Sequence, residues 1–286
     1  MSRPICLITG TTNGIGRVTA EGLARAGFEV VMACRNLERA EAVREDVIRK
    51  TGNEAVHALR CDLADLATVR ETAAAVSERF ERLDLLVNNA GTMTTRFQQA
   101  GNGLELTFAA NYLGPWLLTR LLMDRLVASA PARIVTVASA VHRQGALATA
   151  CLEDEQGEGF SGMRAYARSK LGNIMATLTQ AELLAGSGVT ANCLHPGVVA
   201  TNITSDTNAF LRVGMKIASP FMLNDRRGAA TSLFLSTDPK VAETTGRYFD
   251  EKQQLQEPAA AATDSAARAD LWAWSSRFCE LPERWP

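Results

Sequence analysis

Tyr166 and Lys170 stand four residues apart in the segment YARSK, inside the helix-prone stretch MRAYARSKLGNIMATLTQAELL at 163–184. Residues four apart share one face of a helix, so a phenol and an ammonium would meet at the same surface. A free phenol titrates near ~10, too high for easy proton exchange at neutral pH, and a neighbouring cation favours the phenolate. The pair has the makings of an acid/base group with its own cation. Standing alone, it reads as two residues meeting by chance on a solvated helix.

A second stretch with chemistry in it is LITGTTNGIGR at 7–17. Gly10, Gly14 and Gly16 let the chain turn tightly and let a pyrophosphate approach backbone N–H groups at a helix N-terminus. The spacing G-x-x-x-G-x-G departs from the G-x-G-x-x-G dinucleotide fingerprint while using the same physics. A purely structural strand-to-helix turn could also look like this. Dinucleotide sites that prefer NAD usually place a carboxylate after the second strand. Here that run is MACRN, with Arg35 and no acid, and Arg17 directly follows the last glycine. Two guanidinium groups that could converge on a ribose 2′-phosphate favour NADP, NADPH being preferred over NADH, although either arginine alone could be a solvated surface charge.

Such residues need a scaffold. The 286 residues, 47% hydrophobic and 21% charged, contain ample material for a large core. A net charge of -1 offers no basic field for nucleic acid or an anionic membrane. Cys6, Cys34, Cys61, Cys151, Cys193 and Cys279 are scattered, without a CxxC pair or a nearby His cluster, so neither a metal site nor a disulfide framework is expected. The N-terminus enters an apolar run almost at once, with no signal-peptide layout and no integral membrane segment. A cytoplasmic protein is the expectation.

Short apolar runs alternate with helical patterns: ICLIT, EVVMAC, AVHALRC, LDLLVN, RIVTVAS, VTANCLH and RYFD are the strand candidates. Strict alternation predicts βαβ units and a parallel sheet, and nearly continuous apolar strands predict helices on both faces. The reading is one doubly wound α/β domain over 1–286, with a mainly parallel sheet of about seven strands. A composition shift sets off 251–286 as a peripheral C-terminal tail. The charged insertion at 151–162 reads as a solvated loop. The apolar, Met-rich stretch at 208–223 suits an adaptable hydrophobic pocket or an ordinary packing helix.

Further motifs follow in order: Asp62-Leu63 after the third strand, NNAG (88–91) after the fourth, and Asn111 in the next helix. Ser139 then ends the fifth strand, YARSK follows, and HPGVVAT (195–201) comes after the sixth. With TGxxxGxG, this series resembles the short-chain dehydrogenase/reductase family over almost the whole chain. GLELTFAANYLG (103–114), ACRN, Ser139-x-x-His142 and GRYF resemble its retinol dehydrogenase-like branch, where Ala138 stands in place of a common second serine.

The resemblance implies a Rossmann-type fold and an NADP(H)-dependent oxidoreductase interconverting an alcohol with an aldehyde or ketone, its substrate a small, apolar molecule. Tyr166 would be the general acid or base, Lys170 would lower its pKa and bind the nicotinamide ribose, and Ser139 would donate to the substrate oxygen. Asn111 would open a helix locally and hold a water in the proton relay. Cofactor contacts are implied for Gly10, Asn13, Gly14, Ile15, Gly16, Arg17, Arg35, Asp62, Leu63, Asn88, Ala90, Gly91, Tyr166, Lys170, Pro196, Gly197, Val199 and Thr201. Asp62 would meet the adenine amine, and a structural role is open for Asn88. A variable substrate lid would occupy 201–224. His142 and His195 are assigned positional or structural roles, because the Tyr/Lys pair already supplies the proton chemistry. A homo-oligomer is left open. The alternatives are a catalytically silent NADP-sensing regulatory or scaffold protein and a lyase-like relative working without a dinucleotide; the retained Tyr166 and Lys170 oppose the first, the intact glycine turn the second.

Overall fold

A computed structural model describes residues 3–153, 157–197 and 224–284. The strands are β1 (Ile5–Thr9), β2 (Glu29–Cys34), β3 (Val56–Arg60), β4 (Leu85–Asn88), β5 (Ala132–Val137), β6 (Val189–Leu194), β7 (Arg247–Phe249) and β8 (Leu255–Gln256). They form one sheet in the order β3-β2-β1-β4-β5-β6-β7-β8. Every described pairing is parallel except that of β7 with β8. The strand order reverses between β1 and β4, so the connections leaving their carboxyl ends diverge and open a crevice there.

The helices are α1 (Gly14–Arg25), α2 (Leu37–Thr51), α3 (Leu66–Arg79), α4 (Leu106–Phe108), α5 (Gly114–Ala128), α6 (Gly162–Leu183), α7 (Asp225–Thr237), α8 (Ala260–Thr263) and α9 (Ser265–Phe278). A π-helical turn, Ala109–Leu113, joins α4 to α5. Two apolar clusters cover the two faces of the sheet. β1, ICLIT, is buried along its whole length, which is why it reads as an unbroken apolar run. Among the described residues, no helix is long and apolar enough to cross a membrane.

Seven strands lie where the apolar runs place them, within a residue or two at the ends. The eighth, β8, is too short to show a period. It forms because the Asp250 carboxylate accepts from the Lys252 and Gln254 amides at 2.8 and 2.9 Å, reversing the chain after β7.

The tail differs from its expected peripheral character. Trp272 and Trp274 are buried, the first edge-on to Trp116 at 5.1 Å between centroids, the second 6.0 Å from Phe108. Trp274 Nε1 donates to Glu153 at 2.8 Å, and Ser275 hydrogen-bonds the buried Tyr112 hydroxyl at 2.8 Å. Apolar α9 residues are interspersed with Ser, Ala and Arg, which dilutes their signal in the sequence although they complete the main core. Trp274→Ala should therefore lower the unfolding free energy by about 3–5 kcal/mol, as read from urea titration. A loss within ~0.5 kcal/mol, as for a surface substitution, would contradict this packing.

Candidate active site

The turn after β1 is built for close approach. Gly10 has φ +71°, and a Cβ there would stand 2.8 Å from Ala90 Cα; at Gly16 it would stand 2.2 Å from Gly10 O. No side chain fits either place without moving the backbone. Thr9, fully buried, receives the amides of Asn89 and Ala90 at 3.0 Å each, while Asn89 Nδ2 donates to Thr9 O at 2.8 Å and Gly10 O at 3.1 Å. Cys34 Sγ lies 3.4 Å from the Thr11 amide and 3.1 Å from its hydroxyl. The glycine turn is thus stitched to the ends of β2 and β4.

Asn36, Asp65, Ser161, Asn224 and Asp264 each cap the helix that follows with a side-chain acceptor. Asn13, at the start of α1, makes no such bond, and no acid stands in the first turn. The amides of Gly14, Ile15 and Gly16 open the helix without a side-chain partner from Asn13, which fits the phosphates of a dinucleotide.

The two arginines differ. Arg17 forms an ion pair with Asp46 on α2, and Lys50 and Arg17 together hold the Asp46 carboxyl down at about 2. Arg35 is exposed and, among the described residues, makes no ion pair. Asp62 uses Oδ1 to accept from its own loop, the Ala64 amide at 3.1 Å. Leu63 is buried, with its carbonyl against Gly114. Asn88 is buried and donates to Thr119 at 2.8 Å, tying β4 to α5, while its Oδ1 has no partner among the described residues. Gly197, at φ +75°, and Pro196 follow β6. Val199, Thr201 and the lid stretch through 223 lie outside the described residues.

The expected catalytic set converges at the carboxyl ends of β4 and β5. Ser139 lies two residues beyond β5, and its Oγ accepts from the Val141 amide at 3.3 Å. Its hydroxyl favours the Tyr166 phenolate, and Tyr166 stands in the second turn of α6. Lys170, one turn later, is 2% exposed, and its Nζ lies 5.6 Å from the centre of the Tyr166 ring. A Cβ on Gly91 would be 3.4 Å from that Nζ and 3.8 Å from Asn111 Oδ1. Asn111 sits in the π turn, a local widening of the helix. Its side chain is heavily engaged: Oδ1 accepts from the Thr92 amide at 2.7 Å, and Nδ2 donates to Thr92 O at 2.8 Å and Ser169 Oγ at 3.1 Å. Ser169 Oγ in turn donates to Tyr166 O at 2.8 Å.

Electrostatics refine the picture. The lowering of Tyr166 by Lys170 is not realised in the chain alone. Burial raises the phenol to about 12, and the Ser139 hydrogen bond draws it back only in part. Burial also depresses Lys170, to about 8. Its Nζ carries three protons when charged, and among the described residues one acceptor meets them, Val137 O at 2.8 Å. An ammonium held out of water with unfilled donors, beside a glycine and a phenol, is a site prepared for a polar ligand. Asn89, Thr9 and Ser169 were not singled out by sequence. Their only signal was position, inside NNAG, LITG and YARSK, because hydroxyls and amides that bind backbone carry no spacing rule of their own.

The sequence profile of the short chain dehydrogenases matches residues 4–152. Retinol dehydrogenase 13 from Homo sapiens is 37% identical over 283 residues, spanning 96% of this chain and 84% of that protein. Retinol dehydrogenase 11 from Homo sapiens is 35% identical, spanning 97% and 86%. Among solved structures, an uncharacterized protein from Mycobacterium paratuberculosis matches with a TM-score of 0.77 at 29% identity, covering 99% of this chain and 96% of that one. A short chain dehydrogenase from Escherichia coli CFT073, complexed with NADPH, shares the fold at a TM-score of 0.69 and 22% identity, over 88% of this chain and 98% of that one. The chain therefore belongs to the short-chain dehydrogenase/reductase family, in its retinol dehydrogenase-like branch, and is an oxidoreductase.

Proposed function

We propose that this protein interconverts an alcohol and an aldehyde or ketone with NADP(H), using Tyr166 as the acid or base. The observation that carries the reading is the buried, under-bonded Lys170 ammonium set between Tyr166, Gly91 and Asn111. When bound, the dinucleotide supplies or accepts the hydride. Gly10, Asn13, Gly14, Ile15 and Gly16 would receive its phosphates, Arg35 a ribose 2′-phosphate, and Asp62, Asn88 and Ala90 its adenosine end. The free Lys170 donors would meet a ribose hydroxyl. Ser139 donates its proton to the substrate oxygen, which holds that oxygen beside the phenol. Tyr166 gives its proton to the developing alkoxide in reduction and takes one in oxidation. Asn111 fixes the Thr92 backbone and, through Ser169, the turn that carries Tyr166. The buried, free thiols of Cys6, Cys61 and Cys193 fit a reducing compartment and so a cytoplasmic location.

Three outcomes test this. NADPH oxidation followed with a panel of medium-chain aldehydes, aromatic ketones and retinal should need Tyr166. Tyr166→Phe should lose about a thousandfold or more in kcat, within the range of acid/base effects, while binding NADPH as the wild type does. Turnover retained in that variant would refute the assignment.

NADPH should be preferred over NADH. Because Arg35 makes no ion pair among the described residues and Arg17 is committed to Asp46, Arg35→Ala should raise the KM for NADPH by about tenfold or more, as expected for one charge-assisted contact, and leave that for NADH nearly unchanged. Arg17→Ala should do less. Equal use of both cofactors by the wild type would contradict the preference.

Lys170 gives an expectation for stability. Its folded pKa of about 8 lies below the ordinary 10.5. Between those values the unfolded chain binds a proton that the folded chain has released, so stability rises with pH across that window. At pH 7 the full penalty of burying the charge is present, about 3 kcal/mol at 1.36 kcal/mol per pH unit. Lys170→Met removes it and leaves Val137 O unpaired, which costs about 1–3 kcal/mol. The variant should be inactive yet melt no lower than the wild type at pH 7; a fall in Tm of more than about 5 °C would contradict the account.

A further inference from the structure

His142 is fully buried, three residues beyond Ser139, and both of its ring nitrogens are used. Nδ1 is 2.7 Å from Ser139 O, and Nε2 is 3.1 Å from the Ala259 amide nitrogen. A carbonyl oxygen can only accept and an amide N–H can only donate, so the partners themselves fix the tautomer: Nδ1 carries the proton and Nε2 does not. The ring is held edge-on to Tyr248 at 5.1 Å between centroids. The Tyr248 hydroxyl is 2.7 Å from His195 Nδ1, and His195 Nε2 is 3.1 Å from Glu251 Oε2. Burial, together with Arg143 and His195 nearby, pushes His142 below its ordinary value. The ring is neutral at pH 7.

We propose that His142 is a positioning residue for the reaction, a neutral bridge that fixes the backbone presenting the Ser139 hydroxyl and ties it to the segment between β8 and α8. The proposal rests on the reading above, in which Ser139 orients the substrate oxygen. Ser139 O receives two bonds, from the His142 amide at 3.1 Å and from the His142 ring. The turn that follows is clamped from both sides. Toward the tail, Arg143 donates to Glu257 O at 2.6 Å. Toward α6, a Cβ on Gly145 would stand 2.6 Å from Ala167 O, directly after Tyr166. Ser139 is thereby registered against Tyr166 by a turn whose one buried side-chain bridge to the tail, among the described residues, is the His142 ring. Small errors in that register are costly, since donation to a reacting oxygen depends on sub-ångström placement.

Three variants separate positioning from packing. His142→Asn places an N–H near the Nδ1 position and keeps the bond to Ser139 O. His142→Gln reaches toward the Nε2 position and keeps only the Ala259 bond. His142→Phe keeps the ring against Tyr248 and loses both. All three should lose stability, with KM for NADPH unchanged. The kcat should fall about tenfold in the Gln and Phe variants, the equivalent of ~1.4 kcal/mol, and stay within about threefold of wild type in the Asn variant. If kcat follows Tm across the three, or the Asn and Gln variants are equal, the positioning role is overturned. If His142→Phe does not fold, the Asn and Gln pair still decides it. A 15N spectrum of the wild type, which has three histidines, should show one neutral ring protonated at Nδ1 at pH 7; protonation of that ring at Nε2 would also overturn the proposal. Tyr166→Phe, run alongside, keeps the two claims apart. Activity without Tyr166 sinks the proposed reaction, whereas an inactive Tyr166→Phe with a fully active His142→Phe sinks only the bridge.

Discussion

A buried amine with one hydrogen bond among the described residues is the constraint around which this candidate site is arranged. Lys170 Nζ donates to the carbonyl at the end of β5, and little else that is described reaches it. Keeping it charged near neutral pH requires that its surroundings be polar and fixed. Asn111 supplies that fixity by locking Thr92, and Ser169 links Asn111 to the turn carrying Tyr166. The buried charge lies beside the phenol of Tyr166 and against Gly91.

The crevice follows from topology. The sheet order reverses between β1 and β4, so the glycine turn after one strand and NNAG after the other face each other. Thr9 and Asn89 bond the two together, and no Cβ fits at Gly10 or Gly16. Around the far side the C-terminal segment is structural. Ser275 holds Tyr112 in the π turn next to Asn111, and the Ala259 amide meets His142 behind Ser139. The surroundings of Asn111 and of Ser139 are therefore both braced by residues more than a hundred positions away in the chain.

Much of this was legible before any coordinates. Apolar runs bounded by turns located seven strands because fully buried parallel strands have no polar face to confuse the pattern. Ordered motifs singled out Ser139, Tyr166 and Lys170, and the fold brings the three together. What stayed hidden depended on the third dimension. The sequence places Arg17 and Arg35 alike at the cofactor, but only the fold brings Asp46 to Arg17. It places Lys170 beside Tyr166, but burial is what lifts the phenol to about 12 instead of lowering it. It sets the tail apart by composition and marks Trp272 and Trp274 as packing residues of a tail helix, but does not show that they pack into the main core. Partners far apart in sequence leave no local trace, so the positional or structural role read for His142 came without its partner, the Ala259 amide.

The central claim, that a depressed and buried Lys170 ammonium organises the site, is open to one direct measurement. The chain has five lysines, so side-chain 15N or 13Cε resonances can be followed individually against pH in the protein without added cofactor. One lysine should titrate at about 8, and its resonance should be missing from Lys170→Met. If every lysine titrates near the ordinary ~10.4, the amine is solvated, and the account of the site built on it is wrong.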